Sequence, residues 1–118
     1  MKIIVAGSRC FNDYNKLSKV LDEYIGTKCG VKIISGGARG ADLLGERYAI
    51  EHGIEVERHP AEWDKYGKFA GLKRNEDMAR SVGESGILFA FWDGISRGTG
   101  AMIKYAKKYG LEIHIIGV

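Results

Sequence analysis

Three glycine-rich segments contain the residues best suited to bind a charged ligand. Each combines glycines with a hydroxyl side chain and one arginine: Gly7-Ser8-Arg9, Ser35-Gly36-Gly37-Ala38-Arg39-Gly40-Ala41-Asp42 and Asp93-Gly94-Ile95-Ser96-Arg97-Gly98-Thr99-Gly100. Glycine lets backbone N–H groups approach an anion closely, and the forked guanidinium group of arginine matches phosphate oxygens. The three segments together therefore predict phosphate binding.

Any one of these segments also has a simpler explanation, which is a tight turn that requires glycine. The chain has no Gly-x-x-x-x-Gly-Lys-Ser/Thr sequence, and the spacing Gly36-Gly37-x-x-Gly40 differs from the Gly-x-Gly-x-x-Gly dinucleotide fingerprint. The prediction depends on the segments acting together. The predicted ligand-binding residues are Gly7, Ser8, Arg9, Ser35, Gly36, Gly37, Arg39, Gly40, Asp42, Arg74, Asn75, Ser96, Arg97, Gly98 and Thr99.

Alternating strands and helices must position these segments. Short apolar runs predict strands at 3–6, 31–34, 54–57, 87–91 and 112–116. Helical spacing predicts a first helix through Leu17, Leu21 and Ile25, and further helices over about 41–52, 70–82 and 100–109. The segment 59–68, with the only proline of the chain, predicts an ordered loop.

This alternation indicates β-α-β crossovers and a mainly parallel sheet. We therefore predict an α/β fold, a single Rossmann-like three-layer domain over residues 1–118, with about five strands and helices on both faces. In such a sheet the loops that follow the strands emerge at one edge, where ligands bind. The three glycine-rich segments are thus predicted to face a common ligand.

Several polar and aromatic residues outside these segments have two interpretations. Arg74 and Asn75 lie on the polar helix 70–82, either as solvated surface residues or as binding residues. Four aromatic side chains either cover a nucleobase or pack a loop or subunit interface. They are Trp63, Tyr66, Phe69 and Trp92.

Composition narrows the class of protein. A net charge of +3, with basic and acidic residues interleaved, suits a small anion better than a nucleic-acid duplex. Cys10 and Cys29 lack metal-ligand spacing, so we expect reduced thiols, no metal and no other cofactor. The short apolar start lacks the length of a signal peptide, and no window has the ~20 apolar residues of a membrane span. We expect a cytoplasmic protein without a membrane partner.

Together these motifs resemble the YspA-like family of the SLOG superfamily, Rossmannoid proteins that occur in bacteria and their phages. The resemblance also includes the segments Trp63-Asp64-Lys65-Tyr66-Gly67-Lys68 and Ala70-Gly71. It implies that the protein senses or sequesters a nucleotide-derived small molecule, such as an ADP-ribose or cyclic ADP-ribose type of signal. It also implies a homo-oligomer.

Relatives in this superfamily include the LOG phosphoribohydrolases, which release a base from a nucleoside monophosphate. The resemblance matches Arg74 to their arginine and Gly98-Thr99 to part of their glycine-rich motif, but Met102 occupies the position of their catalytic glutamate. Methionine cannot transfer a proton or stabilise an oxocarbenium-like centre. A binding protein is therefore favoured over a LOG-like N-glycosidase.

Two alternatives remain open from the sequence. For an enzyme, Asp42 or Glu46 is a candidate to supply the carboxylate, with Arg74 as electrostatic support. Asp42 has a second interpretation as a residue favoured by the dipole at a helix N-terminus. Single-stranded nucleic-acid binding, as in the DprA-type relatives, ranks last because the sequence indicates no continuous basic groove.

Overall fold

Five parallel strands form a single sheet. The computed structural model describes residues 1–118. The strands lie in the order β3-β2-β1-β4-β5, and every neighbouring pair is parallel. The strands are β1 (Lys2–Gly7), β2 (Lys32–Ser35), β3 (Glu55–Arg58), β4 (Ile87–Trp92) and β5 (Glu112–Gly117).

Helices cover both faces of the sheet, and their bounds are α1 (Tyr14–Ile25), α2 (Ala41–Glu51), α3 (Trp63–Tyr66), α4 (Ala70–Val82) and α5 (Arg97–Lys108). Alternate residues of β1 point to opposite faces, as strand geometry requires. Ile3 packs with α1 and α2, whereas Ile4 packs with Met78 of α4 and Met102 of α5. The predicted Rossmann-like three-layer architecture is confirmed. None of the helices is long and apolar enough to cross a membrane.

The strand order reverses between β1 and β4. From β1 the chain proceeds through β2 to β3 on one side of the sheet, and it then returns to β4 and β5 on the other. Neighbouring crossovers diverge at this point, which leaves a crevice beyond the carboxyl ends of the central strands. The loops after β1 and β4 meet there, because the hydroxyl oxygens of Ser8 and Ser96 lie 3.2 Å apart.

Two segments differ from the sequence prediction. Segment 59–68 was expected to be a loop but contains α3, followed by a 3-10 turn over Gly67–Phe69. This single helical turn lacks apolar periodicity and is closed by the Tyr66 N–H, which donates to the Glu62 carbonyl oxygen at 3.0 Å. The last helix begins at Arg97, not near Gly100, since the Gly100 N–H donates to the Ser96 carbonyl oxygen at 3.1 Å.

Candidate functional site

A cavity of about 310 Å³ lies beyond the carboxyl ends of β1 and β4. We call it the central cavity, and Ala6, Met78 and Met102 form its apolar part. The sequence-predicted residues that line it are Gly7, Ser8, Arg9, Asp42, Arg74, Asn75, Ser96, Arg97, Gly98 and Thr99. The structure therefore brings residues from all three glycine-rich segments together with the polar helix α4.

The first turn of α5 supplies unpaired hydrogen-bond donors to this cavity. The backbone N–H groups of Arg97, Gly98 and Thr99 make no hydrogen bond within the chain, as expected for the start of a helix. The helix dipole places partial positive charge at the same point. The hydroxyl groups of Ser8 and Ser96 lie 3.2 Å apart beside it. This arrangement is suited to a phosphate group.

Asp93 determines which amides of the β4–α5 loop are free. Its carboxylate accepts the N–H groups of Ile95 and Ser96, both at 2.8 Å, and the Ser96 hydroxyl at 2.9 Å. These backbone N–H groups lower the pKa of Asp93 to about 2. The side chain is therefore ionised at neutral pH, and an anion in the cavity must bind at the helix turn, away from this carboxylate.

Arg74 and Asn75 join the two halves of the site. The half-buried Arg74 guanidinium donates from Nη1 to the Gly36 carbonyl oxygen at 2.5 Å and from Nε to Asn75 Oδ1 at 2.9 Å. Asn75 in turn donates from Nδ2 to the Gly98 carbonyl oxygen at 3.3 Å. Burial lowers the pKa of Arg74, an effect that Asp42 opposes, yet an arginine remains cationic at neutral pH. The pair therefore holds a fixed positive charge in the cavity wall.

Asp42 is a buried acid in the same wall. Asp42 is only 6% exposed, and its carboxylate accepts the Ala38 N–H at 3.3 Å. Burial raises the pKa of Asp42 to about 6, although the Ala38 N–H and the Arg74 charge both act in the opposite direction. Asp42 therefore exchanges its proton close to neutral pH, which is a property of groups that transfer protons to a ligand.

Gly40 allows the loops after β1 and β2 to touch. Its φ of +83° lies in the left-handed region, and a Cβ at this position would lie 2.3 Å from the Ser8 carbonyl oxygen. A side chain is thus excluded both by backbone conformation and by space. Gly40 is a packing residue that brings Ser8 and Arg9 against the start of α2, and it lines neither cavity.

A second cavity of about 380 Å³ adjoins the first, beyond the ends of β2 and β3. We call it the basic cavity, because Arg9, Arg39, Arg58 and Arg74 line it. Arg9, Ala38 and Arg74 line both cavities, so the two adjoin. The predicted residues Gly36, Gly37 and Arg39 lie here and not in the central cavity.

Ser35 and Glu46 lie behind the cavity walls. The fully buried Ser35 hydroxyl donates to Glu46 Oε2 at 2.6 Å and accepts the Gly37 N–H at 3.0 Å. Glu46 forms a bidentate ion pair with Arg58. Of the two carboxylates considered as candidate acids, Asp42 lines the central cavity and Glu46 is engaged with Arg58.

Arg58, Asp93 and Trp63 border the cavities but were absent from the predicted site. Arg58 ends β3 without a glycine-rich loop after it, so no motif marked it. The sequence feature that could have identified Arg58 was its position at the carboxyl end of a predicted parallel strand. Asp93 was visible within the third glycine-rich segment, directly after β4, and Trp63 was weighed only as a cover or packing residue.

The fold and the site define a class of protein. A parallel sheet of order 3-2-1-4-5, with an arginine-rich cavity where the order reverses, is the Rossmannoid arrangement for binding small anionic ligands. Within this class, the chain belongs to the YspA, cpYpsA-related SLOG family, whose model matches residues 1–66. Membership in this family points to a nucleotide-related ligand.

The protein is also similar to a phage protein. It is 34% identical to the Gene 61 protein of Mycobacterium phage D29 over an alignment that covers 95% of this chain and 93% of the relative. The name of that relative states no function. No solved structure matches the chain.

Proposed function

We propose that the protein binds a nucleotide-derived, phosphate-bearing small molecule in the central cavity and does not turn it over. The observation that carries this proposal is the convergence of the free Arg97, Gly98 and Thr99 amides with the fixed Arg74 guanidinium. Family membership supports a nucleotide-related ligand. An ADP-ribose or cyclic ADP-ribose type of signal, sensed or sequestered, is our specific candidate.

The polar groups of the cavity match both parts of a nucleotide. Backbone amides, hydroxyls and guanidinium groups donate hydrogen bonds to phosphate oxygens. The carboxylates of Asp42 and Asp93 are acceptors in the same wall, and they suit the hydroxyl groups of a ribose. A plain inorganic anion would use only the donors. The mixture therefore favours a sugar phosphate over a simple ion.

Met102 supports binding without reaction. Its side chain lines the central cavity and is 1% exposed before a ligand binds. The resemblance to the LOG enzymes places their catalytic glutamate at this position, and a thioether supplies neither a proton nor a negative charge.

Isothermal titration calorimetry tests the proposal with ADP-ribose, cyclic ADP-ribose, NAD and AMP. We expect saturable binding of at least one of these ligands by the unchanged protein, and weaker binding by Arg97→Ala. Arg80→Ala is the matched control, because Arg80 lies on the exposed surface of α4 outside both cavities. Absence of binding for all four ligands would refute the proposal.

A second candidate function is hydrolysis of the N-glycosidic bond of such a ligand, and the raised pKa of Asp42 is the observation that favours it. In this reaction the oxygen of a water molecule bonds to the ribose carbon, the bond to the base breaks, and a proton from water passes to the base. Asp42 would relay that proton, with Arg74 as electrostatic support.

Prolonged incubation with AMP and with ADP-ribose, followed by chromatography, distinguishes the two functions. Release of free base that is lost in Asp42→Asn supports the enzyme. Unchanged ligand, under conditions in which calorimetry shows binding, supports the binding protein.

A further inference from the structure

Salt bridges are unevenly distributed among the seven arginines of the chain. Arg47, Arg58 and Arg80 each pair with a carboxylate. The remaining four arginines form no salt bridge, and each of them lines the central or the basic cavity. These four are Arg9, Arg39, Arg74 and Arg97. Positive charges gathered around one surface repel each other unless an anion lies between them. The four arginines without a salt bridge therefore favour the binding of anionic groups at these cavities.

The two cavities differ in charge. The central cavity contains the carboxylates of Asp42 and Asp93 as well as arginines. The lining of the basic cavity contains four arginines and no acidic residue. Arg58 alone is neutralised there, by Glu46 from behind the wall. Arg9 and Arg39 leave a surplus of positive charge, so the basic cavity favours an anion more strongly than the central cavity does.

The wall of the basic cavity is also built in advance. Glu46 holds the Nε and Nη2 atoms of Arg58, and the buried Ser35 hydroxyl fixes Glu46. Nη1 of Arg58 keeps its hydrogen-bond donors free, since no partner within the chain accepts from it. A guanidinium group already fixed in position loses little conformational entropy when it binds a phosphate.

We infer that the basic cavity binds a second phosphate group of the same ligand, so that the ligand is a pyrophosphate-bridged nucleotide and not a nucleoside monophosphate. The inference rests on the proposed function of the central cavity. Arg9, Ala38 and Arg74 border both cavities, so the basic cavity lies next to the cavity that holds the ligand at α5. Trp63, 54% exposed in the far wall, offers a ring face to the remainder of the ligand.

The test compares ADP-ribose with AMP, which share the adenosine 5′-phosphate group and differ in the second phosphate and ribose. We expect calorimetry to show ADP-ribose binding about tenfold or more tightly than AMP, since one charged hydrogen bond contributes that much. Arg39→Ala should weaken ADP-ribose binding by about tenfold and leave AMP binding within about twofold. Arg97→Ala should weaken the binding of both ligands.

Arg39 is an exposed residue without a salt bridge, so Arg39→Ala should fold normally, and a thermal unfolding curve verifies this. Arg80→Ala should alter neither affinity. Equal affinities for AMP and ADP-ribose, or an Arg39→Ala variant that weakens both equally, overturn the second phosphate site and leave the proposed function intact. Failure of both ligands to bind overturns the inference, and the proposed function is overturned with it if NAD and cyclic ADP-ribose also fail to bind.

Discussion

The Arg74 guanidinium donates from Nη1 to the Gly36 carbonyl oxygen at 2.5 Å, which ties α4 to the loop after β2. The two residues are 38 positions apart in the chain, and their contact lies where the central and basic cavities meet. A Cβ at Gly36 would lie 2.7 Å from Arg74 Nη1 and 2.8 Å from Asp42 Oδ2. Glycine therefore leaves the space that the guanidinium group occupies.

Gly36→Ala is expected to displace the Arg74 guanidinium. The end of the arginine side chain can shift more easily than backbone, so we expect the free energy of unfolding to fall by only about 1 kcal/mol. Ligand affinity should fall by about tenfold, because the charged donor leaves its position. Calorimetry and urea unfolding measure the two effects. Gly117→Ala is the control, since a Cβ there meets open space.

Arg97→Ala should weaken ligand binding by roughly 1.5–3 kcal/mol, the contribution of a hydrogen bond to a charged group. The free energy of unfolding should change far less, because Arg97 forms no salt bridge and lies at the exposed start of α5. Calorimetry and urea unfolding of the same preparation give both quantities. A large loss of stability with unchanged affinity would assign Arg97 to the scaffold.

The pH dependence of stability should report on Asp42. Burial raises its pKa from the ordinary 3.8 to about 6, so between these values the folded protein holds a proton that the unfolded chain has released. The contribution of Asp42 to the free energy of unfolding therefore falls as the pH rises through this range. It is lower by about 2 kcal/mol at pH 7 than at pH 4.

Asp42→Asn cannot ionise and keeps an oxygen that accepts the Ala38 N–H. Urea unfolding of both proteins at pH 4 and pH 7 isolates the effect, because all other titrating groups are shared. We expect the unchanged protein to lose about 2 kcal/mol relative to the variant over this interval. Parallel pH profiles for the two proteins would contradict the raised pKa of Asp42.

Native mass spectrometry of the purified protein should show a homo-oligomer and a co-purified nucleotide-derived molecule. Two exposed apolar side chains outside both cavities lie close together in the sequence, with exposures of 60% for Phe69 and 38% for Leu72. Such residues are buried when subunits associate. Observation of the monomer alone at micromolar concentration would contradict this prediction.

The sequence predicted those parts of the fold that rest on periodicity. The apolar runs gave the strands to within one or two residues, and the polar helix was predicted with the observed bounds of Ala70–Val82. The short helix α3 was missed because one helical turn contains too few residues to show a repeat. The start of α5 was misplaced because Gly98 and Thr99 are weak helix formers, although they lie in its first turn.

The sequence predicted the parts of the candidate site that contain glycine-rich segments. The first and third glycine-rich segments line the central cavity, and the second is divided between the central cavity and the basic cavity. The partition into two cavities depends on contacts between distant residues, such as the pair formed by Glu46 on α2 and Arg58 at the end of β3. No local pattern encodes that pairing, so both residues were assigned other roles or none.

The positions of the two tryptophans make ligand occupancy visible by fluorescence without an added label. Trp63 stands in the wall of the basic cavity, and the Trp92 indole N–H donates to the Ser96 carbonyl oxygen at the start of α5. Each indole therefore lies beside a different cavity. A change in intrinsic emission on titration reports binding. If the change persists in Trp63→Phe, Trp92 reports a ligand in the central cavity. If it persists in Trp92→Phe, Trp63 reports a ligand in the basic cavity.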